Sequence, residues 1–236
     1  MKEKIYTIPV NDAFNADCEC PVCLLERTLE NNTIDFFLGP SYMEGDVRLE
    51  TNRKGFCRRH SEKLYRHEGD KLGLALMMET HFEHILAEVR KANKKAFSEK
   101  KESLSSVSQT LRILEELEHT CAACDRIQRI MEKYVDTILW MYARDNTFRD
   151  KVRTGKGFCL KHYRMLLERA KTSYSSKNLR SFHRELALLM ESNMDRLLAD
   201  VCWFCQKFDY RNLDAPWKTS KDCLPRAIEK CTSYLG

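Results

Sequence analysis

A chain of 236 residues, 43% hydrophobic and 32% charged, is long enough for one or two packed domains and too evenly mixed for disorder or a fibre. Its 40 basic and 35 acidic residues leave a formal net charge of +5, which permits nucleic acid or anionic lipid as a partner and demands neither. Eight Gly and five Pro are too few for the turn-dense patterning of sandwiches and barrels, so the composition predicts an all-α fold.

The first ten residues carry charge without an apolar run behind them, and no stretch reaches the length of a membrane span. The expectation is a soluble cytoplasmic protein with no membrane partner. Eleven cysteines, an odd number in a long chain without a secretion signal, argue against a disulfide scaffold and for metal or thiol chemistry in a reducing compartment.

The first motif is Cys20-Pro21-Val22-Cys23, with Cys18 close by as a spare thiol. Gly39 to Lys54, which contains Gly39-Pro40 and Gly45, reads as a loop leading to Gly55-Phe56-Cys57-Arg58-Arg59-His60. Apolar residues at Leu74, Met78, Phe82, Ile85 and Val89 then mark a helix. Arg90 to Lys101 holds six basic residues against one Glu, followed by Ser103, Ser105, Ser106 and Ser108, and reads as a solvated helix end and linker at the repeat boundary, with a phosphate-binding stripe as the alternative.

After a further apolar stripe at Leu111, Leu114 and Leu117, the pattern starts again. Cys121-Ala122-Ala123-Cys124 opens an amphipathic helix through Ile127, Ile130, Met131, Tyr134, Val135, Ile138, Leu139 and Tyr142. Arg144 to Lys156 is more helical than its first counterpart, and Gly157-Phe158-Cys159-Leu160-Lys161-His162 follows. The gap between the second and third Cys is 33 residues in the first copy and 34 in the second, which chance does not readily give. The match extends to Glu79 to Val89 against Glu191 to Val201, within a helical stripe through Phe182, Leu186, Leu189, Met190, Asn193, Leu197 and Val201.

Cys202-Trp203-Phe204-Cys205 is a third C-x2-C without a downstream G-F-C-x2-H, followed only by Cys223 and Cys231. The sequence therefore divides into a first metal-binding repeat with an N-terminal arm (1–100), a second repeat (101–201) and a truncated third repeat or cap (202–236). The tail pair reads as a third metal half-site completed by Cys223 and Cys231, as a relic docked through Trp203, Phe204, Phe208, Tyr210 and Trp217, or as a redox dithiol.

C-x2-C lets two thiolates converge on one ion, and C-x2-H does the same for a thiolate and an imidazole, so each repeat contains the parts of a closed Cys3His site. A Gly two residues before Cys57 and Cys159 allows a positive φ, and Phe56 and Phe158 can shield the ligands. Buried small hydrophobes explain a single Cys but not a His in the fourth place twice. The predicted ligands are Cys20, Cys23, Cys57, His60, Cys121, Cys124, Cys159 and His162, with Cys202, Cys205, Cys223 and Cys231 as further candidates. Pairing within each repeat closes the shorter loop and is the expectation; the alternative joins Cys57 and His60 to Cys121 and Cys124. Thiolate-rich donors suit zinc, two ions with a third possible, and an iron-sulfur cluster is the alternative.

His81 and His84 lie one turn apart beside Glu79 and Glu83, but the second copy has Asn193 and Arg196 there, so a surface or core role is expected. His67, His119 and His183 show no partner in sequence, and no nucleophile, acid-base pair or phosphate loop stands out. At the paired motifs, and at Cys202-Trp203-Phe204-Cys205 with Phe208-Asp209-Tyr210-Arg211, the chain resembles a family of uncharacterised bacterial proteins catalogued as a domain of unknown function. The resemblance covers nearly the whole chain and implies a cytoplasmic bacterial setting and repeated metal motifs, with no activity attached to any residue. Closed sites favour a non-catalytic zinc-bound helical scaffold or adaptor with a protein partner, nucleic acid being weakly supported. The rivals are a metal-thiolate redox or metal-status sensor and, third, an iron-sulfur or thiol-dependent enzyme.

Overall fold

The computed structural model describes residues 4–69, 71–98 and 104–233. Among them every regular element is helical: α1 (Lys4–Asn15), α2 (Pro21–Leu38), α3 (Gly45–Lys54), α4 (Arg58–Arg66), α5 (Lys71–Ser98), α6 (Leu104–His119), α7 (Ala122–Arg144), α8 (Asn146–Thr154), α9 (Leu160–Ser173), α10 (Ser176–Gln206) and α11 (Cys223–Thr232), with short 3-10 turns at Pro40–Met43 and Tyr210–Asn212. None of these helices is long and apolar enough to cross a membrane.

The chain forms two compact units whose membership does not follow the order of the sequence repeats. One unit comprises Leu29–Arg129 and the other Met1–Thr28 with Ile130–Gly236, so the divisions fall inside α2 and α7.

The Leu29–Arg129 unit is built on Ile34, Phe37 and Leu38 of α2, Val47 of α3, Leu64 of α4, Met77 of α5 and the Cys121-Ala122-Ala123 turn, all buried. Phe37 meets Phe56 edge-on at 5.1 Å, which seats the G-F-C segment on this core. The stretch predicted as a loop from Gly39 is instead a 3-10 turn followed by α3. Only Val47 and Thr51 of α3 are buried, two positions four apart, and so narrow a face leaves little periodicity to read. The apolar stripe expected on α5 is also displaced: Met77 is buried while Phe82 is 63% exposed, and Leu111 and Leu114 of α6 are exposed too. α5 and α6 pack on each other, which covers one side of each helix and leaves these residues outside. The basic segment from Arg90 to Ser98 is the end of α5, and residues 99–103 lie outside the described part.

In the other unit the predicted stripes are the core. Met131, Val135, Ile138 and Leu139 of α7 and Phe182, Leu186 and Met190 of α10 are buried with Val10 of α1, Phe148 of α8 and Leu166 of α9. The Asp145 carboxylate accepts from the Phe148 amide at 3.2 Å to cap α8, and Ser175 does the same for the Asn178 amide at the start of α10.

Candidate metal centres

Each of the four half-sites lies at the N-terminus of a helix. Cys20 precedes α2 and Cys23 is in its first turn; Cys57 precedes α4 with His60 one turn on; Cys121 and Cys124 flank the start of α7; and Cys159 and His162 flank that of α9. The unpaired amides of a helix start carry partial positive charge, so these positions favour thiolates. Gly55 and Gly157 have φ of 55° and 78°, as the motif requires. A Cβ at Gly55 would run into the His81 ring, and one at Gly157 would stand 3.1 Å from the Met190 sulfur.

His81 is accordingly a packing residue. Its Nδ1 donates to the Asn52 carbonyl at 2.7 Å, tying the end of α3 to α5. Asn193, its counterpart in the second repeat, donates to the carbonyls of Leu189 and Gly155 at 3.0 and 3.5 Å. The same position thus tethers the approach to the G-F-C turn to the long following helix with a different side chain. His84 lines an open cleft, and His67 Nε2 pairs with Asp35 at 2.9 Å.

The ligand sets cross the repeats. Cys20, Cys23, Cys159 and His162 form one cluster, and Cys57, His60, Cys121 and Cys124 the other, with the donor atoms of each set within 4.8 Å of one another. Within-repeat pairing is therefore corrected, and the reason is hydrogen bonding between segments distant in sequence, which loop length does not report. In the second cluster the Thr120 hydroxyl donates to the Lys54 carbonyl and the Ala122 amide to the Gly55 carbonyl, both at 3.0 Å. Lys54 also pairs with Asp125 at 2.5 Å, locking the two knuckles together.

In the first cluster a buried ammonium makes the equivalent bridge. Lys230 of α11 donates to the carbonyls of Glu19 and Lys156 at 2.7 and 2.6 Å, joining the residue before Cys20 to the turn before Cys159. Burial lowers its pKa against the opposing pull of the Glu19 carboxylate. Glu19 is itself held by Arg196 at 2.7 Å, and Ser233 Oγ lies 3.4 Å from Cys23 Sγ. Lys156 pairs with Asp17 at the edge of the same knuckle.

Tetrahedral zinc with ordinary Zn–S and Zn–N bonds places its donors about 3.6–3.8 Å apart. The contacts here run from 3.2 to 3.8 Å, most of them a few tenths of an ångström inside that separation. In the first cluster Cys23–Cys159 is 3.5 Å, and Cys20, Cys23 and Cys159 stand 3.6, 3.3 and 3.2 Å from His162 Nδ1. In the second, Cys57–Cys124 is 3.8 Å, and Cys57, Cys121 and Cys124 stand 3.3, 3.4 and 3.3 Å from His60 Nδ1.

Both imidazoles turn Nδ1 to the thiols and Nε2 to a carboxylate: His162 lies 3.2 Å from half-buried Glu26 and His60 3.2 Å from buried Glu30. A carboxylate behind a histidine fixes the ring and raises its basicity as a ligand. Glu30 also receives Arg59 and Lys63 at 2.7 Å each, and Glu26 receives Lys161 at 2.5 Å.

Protonation shows how tightly the donors crowd. Burial opposes charge on both rings, yet His162 is raised to about 11 by Cys159, Cys23 and Glu26, and His60 to about 10 by Cys121 and Glu30. Contacts from Cys20 and Cys23 hold Cys159 far below the usual thiol range, while burial pushes Cys20 well above it. In the second cluster burial raises Cys121 but His60 outweighs it, down to about 6, and burial with the neighbouring Cys121 pushes Cys124 up. A divalent cation bound there would take the place of these competing protons, which a thiolate-rich donor set of this kind fits.

The sequence profile of one family matches residues 1–235. The chain belongs to DUF6062, a family of unknown function. It is 24% identical over 200 residues to an uncharacterized 23.9 kDa protein in the xynA 3' region of Caldicellulosiruptor sp. (strain Rt8B.4), covering 82% of this chain and 84% of that protein. No solved structure matches it.

Among the described residues those two clusters are the groups of three or more donors. Cys202, Cys205 and Cys231 are exposed and Cys223 is buried, and they do not gather into a third. Of the predicted cap, Phe204 packs on Trp217 at 5.7 Å and Trp203 donates to the Pro216 carbonyl at 3.0 Å, whereas Phe208 and Tyr210 are exposed. Cys18 is half-buried, and burial raises its pKa. The sequence reading missed Glu26, Glu30 and Lys230. The signal for the first two is an acid repeated four residues apart on the helix that C-x2-C opens; Lys230 has none.

Proposed function

We propose that each Cys3His cluster holds one structural zinc ion and that the chain is a non-catalytic scaffold for a protein partner. The observation that carries this reading is the donor geometry: three sulfurs and one Nδ1 gathered within 4.8 Å of one another in each cluster, with the second ring nitrogen facing a carboxylate. Four protein ligands complete zinc's preferred coordination, leaving no place for water or substrate. Phe82, Leu86, Leu111 and Leu114, exposed on a packed helix pair, supply apolar surface of the kind that meets another protein. Elemental analysis of chain purified under reductant tests the reading. A colourless protein with two zinc ions supports it; brown absorption with iron and sulfide replaces it with an iron-sulfur protein; a metal-free folded chain removes it.

A second reading, regulation by metal release, is favoured by one asymmetry. All four ligands of the Cys20 cluster are buried, whereas Cys124 of the other cluster is exposed and Cys57 half-buried. Oxidants reach thiolates in proportion to their exposure, which makes the second cluster the place where such a sensor would act.

A further inference from the structure

The third C-x2-C is placed differently from the other two. Cys202 and Cys205 lie in the last turns of α10, three residues apart and both exposed, where side chains at this spacing are neighbours on the helix surface. The tail covers the other side of the helix, with Phe204 against Trp217 and Trp203 bonded to Pro216. Along the uncovered side the apolar series Met194, Leu198 and Cys202 recurs every four residues, with Cys205 seven after Leu198. Met194 is 37% and Leu198 60% exposed.

Among the described residues the tail does not complete that half-site, since neither Cys202 nor Cys205 belongs to a group of three or more donors. Cys223 and Cys231 are eight residues apart on α11, about 12 Å along the axis, so one ion cannot take both. Cys223 is wholly buried, and both C-x2-H pairs already belong to the clusters described above. Two thiolates are half of what tetrahedral zinc requires. A twofold axis supplies two more of the same kind, because an isologous interface brings identical patches together.

We infer that Cys202 and Cys205 form half of a four-thiolate zinc site completed by the same pair in a second copy of this chain, with Met194 and Leu198 packing beside it. The inference rests on the reading that the two internal clusters hold zinc. Two internal ions in each copy plus one shared ion gives five per dimer.

Native mass spectrometry and light scattering on the full chain, reduced and loaded with zinc, test it. The expected species has twice the 27.8 kDa chain mass and five zinc ions, and the C202S/C205S double variant falls to the single-chain mass with two ions and unchanged helicity. Leu198→Glu, which leaves all thiols in place, lowers the dimer fraction at least tenfold at a concentration where the parent is half dimeric. Three ions in a monomer would mean completion within the chain, and two ions in the parent would mean an idle pair; either overturns the inference while leaving the internal sites intact. A dimer that survives the double substitution also overturns it. Absence of zinc from the double variant would instead remove the reading of the internal clusters.

Discussion

Glu30 Oε1 stands 3.2 Å from His60 Nε2, on the side of the ring away from the three thiols. The carboxylate is almost fully buried and is shared with Arg59 and Lys63, so its position is fixed from three directions. Replacing it by Gln keeps the shape and removes the charge that raises the basicity of the ring. We expect Glu30→Gln to weaken zinc at the Cys57 cluster by about 10–100-fold. Affinity at the Cys20 cluster, served by Glu26, should not change. Competition against a calibrated chelator resolves the two affinities, and an equal effect on both, or none, would show that the carboxylate does not tune the site.

Cys159→Ser should release metal from Cys20 and Cys23, not from Cys121 and Cys124 of its own repeat, because the ligand sets cross. Alkylation followed by peptide mass spectrometry reads this directly. Cys20 and Cys23 become reactive in the variant, while Cys57, Cys121 and Cys124 keep the reactivity they have in the parent. Labelling of Cys121 and Cys124 instead would restore within-repeat pairing.

The ligand types and the positive-φ glycines are local, so the spacing of Cys20, Cys23, Cys57, His60 and their repeats displays them. The partners depend on hydrogen bonds between segments far apart in sequence, such as Ala122 to Gly55, and spacing says nothing about these. The α7 and α10 stripes are legible because each buries a wide apolar face. α3 is not, with two buried residues in ten, and the α5 stripe misleads because Phe82 is as apolar outside the core as it would be within it. Lys230 is hidden for a different reason: a lysine in a polar tail looks solvated until the carbonyls it bridges are placed around it.

Lys230→Met should be among the most damaging single changes away from the ligands. It removes a buried donor from two carbonyls and leaves the Glu19 carboxylate with its arginines alone. Unsatisfied buried acceptors cost about 1–3 kcal/mol each, so a loss of roughly 2–6 kcal/mol is expected in denaturant titrations at fixed free zinc. Because the bridge spans Glu19 and Lys156, zinc should also leave the Cys20 cluster faster while the Cys57 cluster holds. A loss below about 0.5 kcal/mol, the size of an ordinary surface change, would show that water replaces the amine.

Mild peroxide should distinguish the clusters by exposure. The thiolate is the reactive form, and its oxidation requires access, so the fully buried set of Cys20, Cys23, Cys159 and His162 is expected to keep its ion. Cys124 is exposed and Cys57 half-buried, so the other set should yield first. A colorimetric chelator following zinc release should then record one fast ion and one slow ion per chain, with helicity falling only in the fast phase if that ion supports the fold. Fast release that thiol reverses, confined to the Cys57 cluster, makes regulation by metal ejection the better account of the chain. Retention of both ions with partner binding intact supports the scaffold. Release of both at one rate contradicts the difference in burial on which the prediction stands.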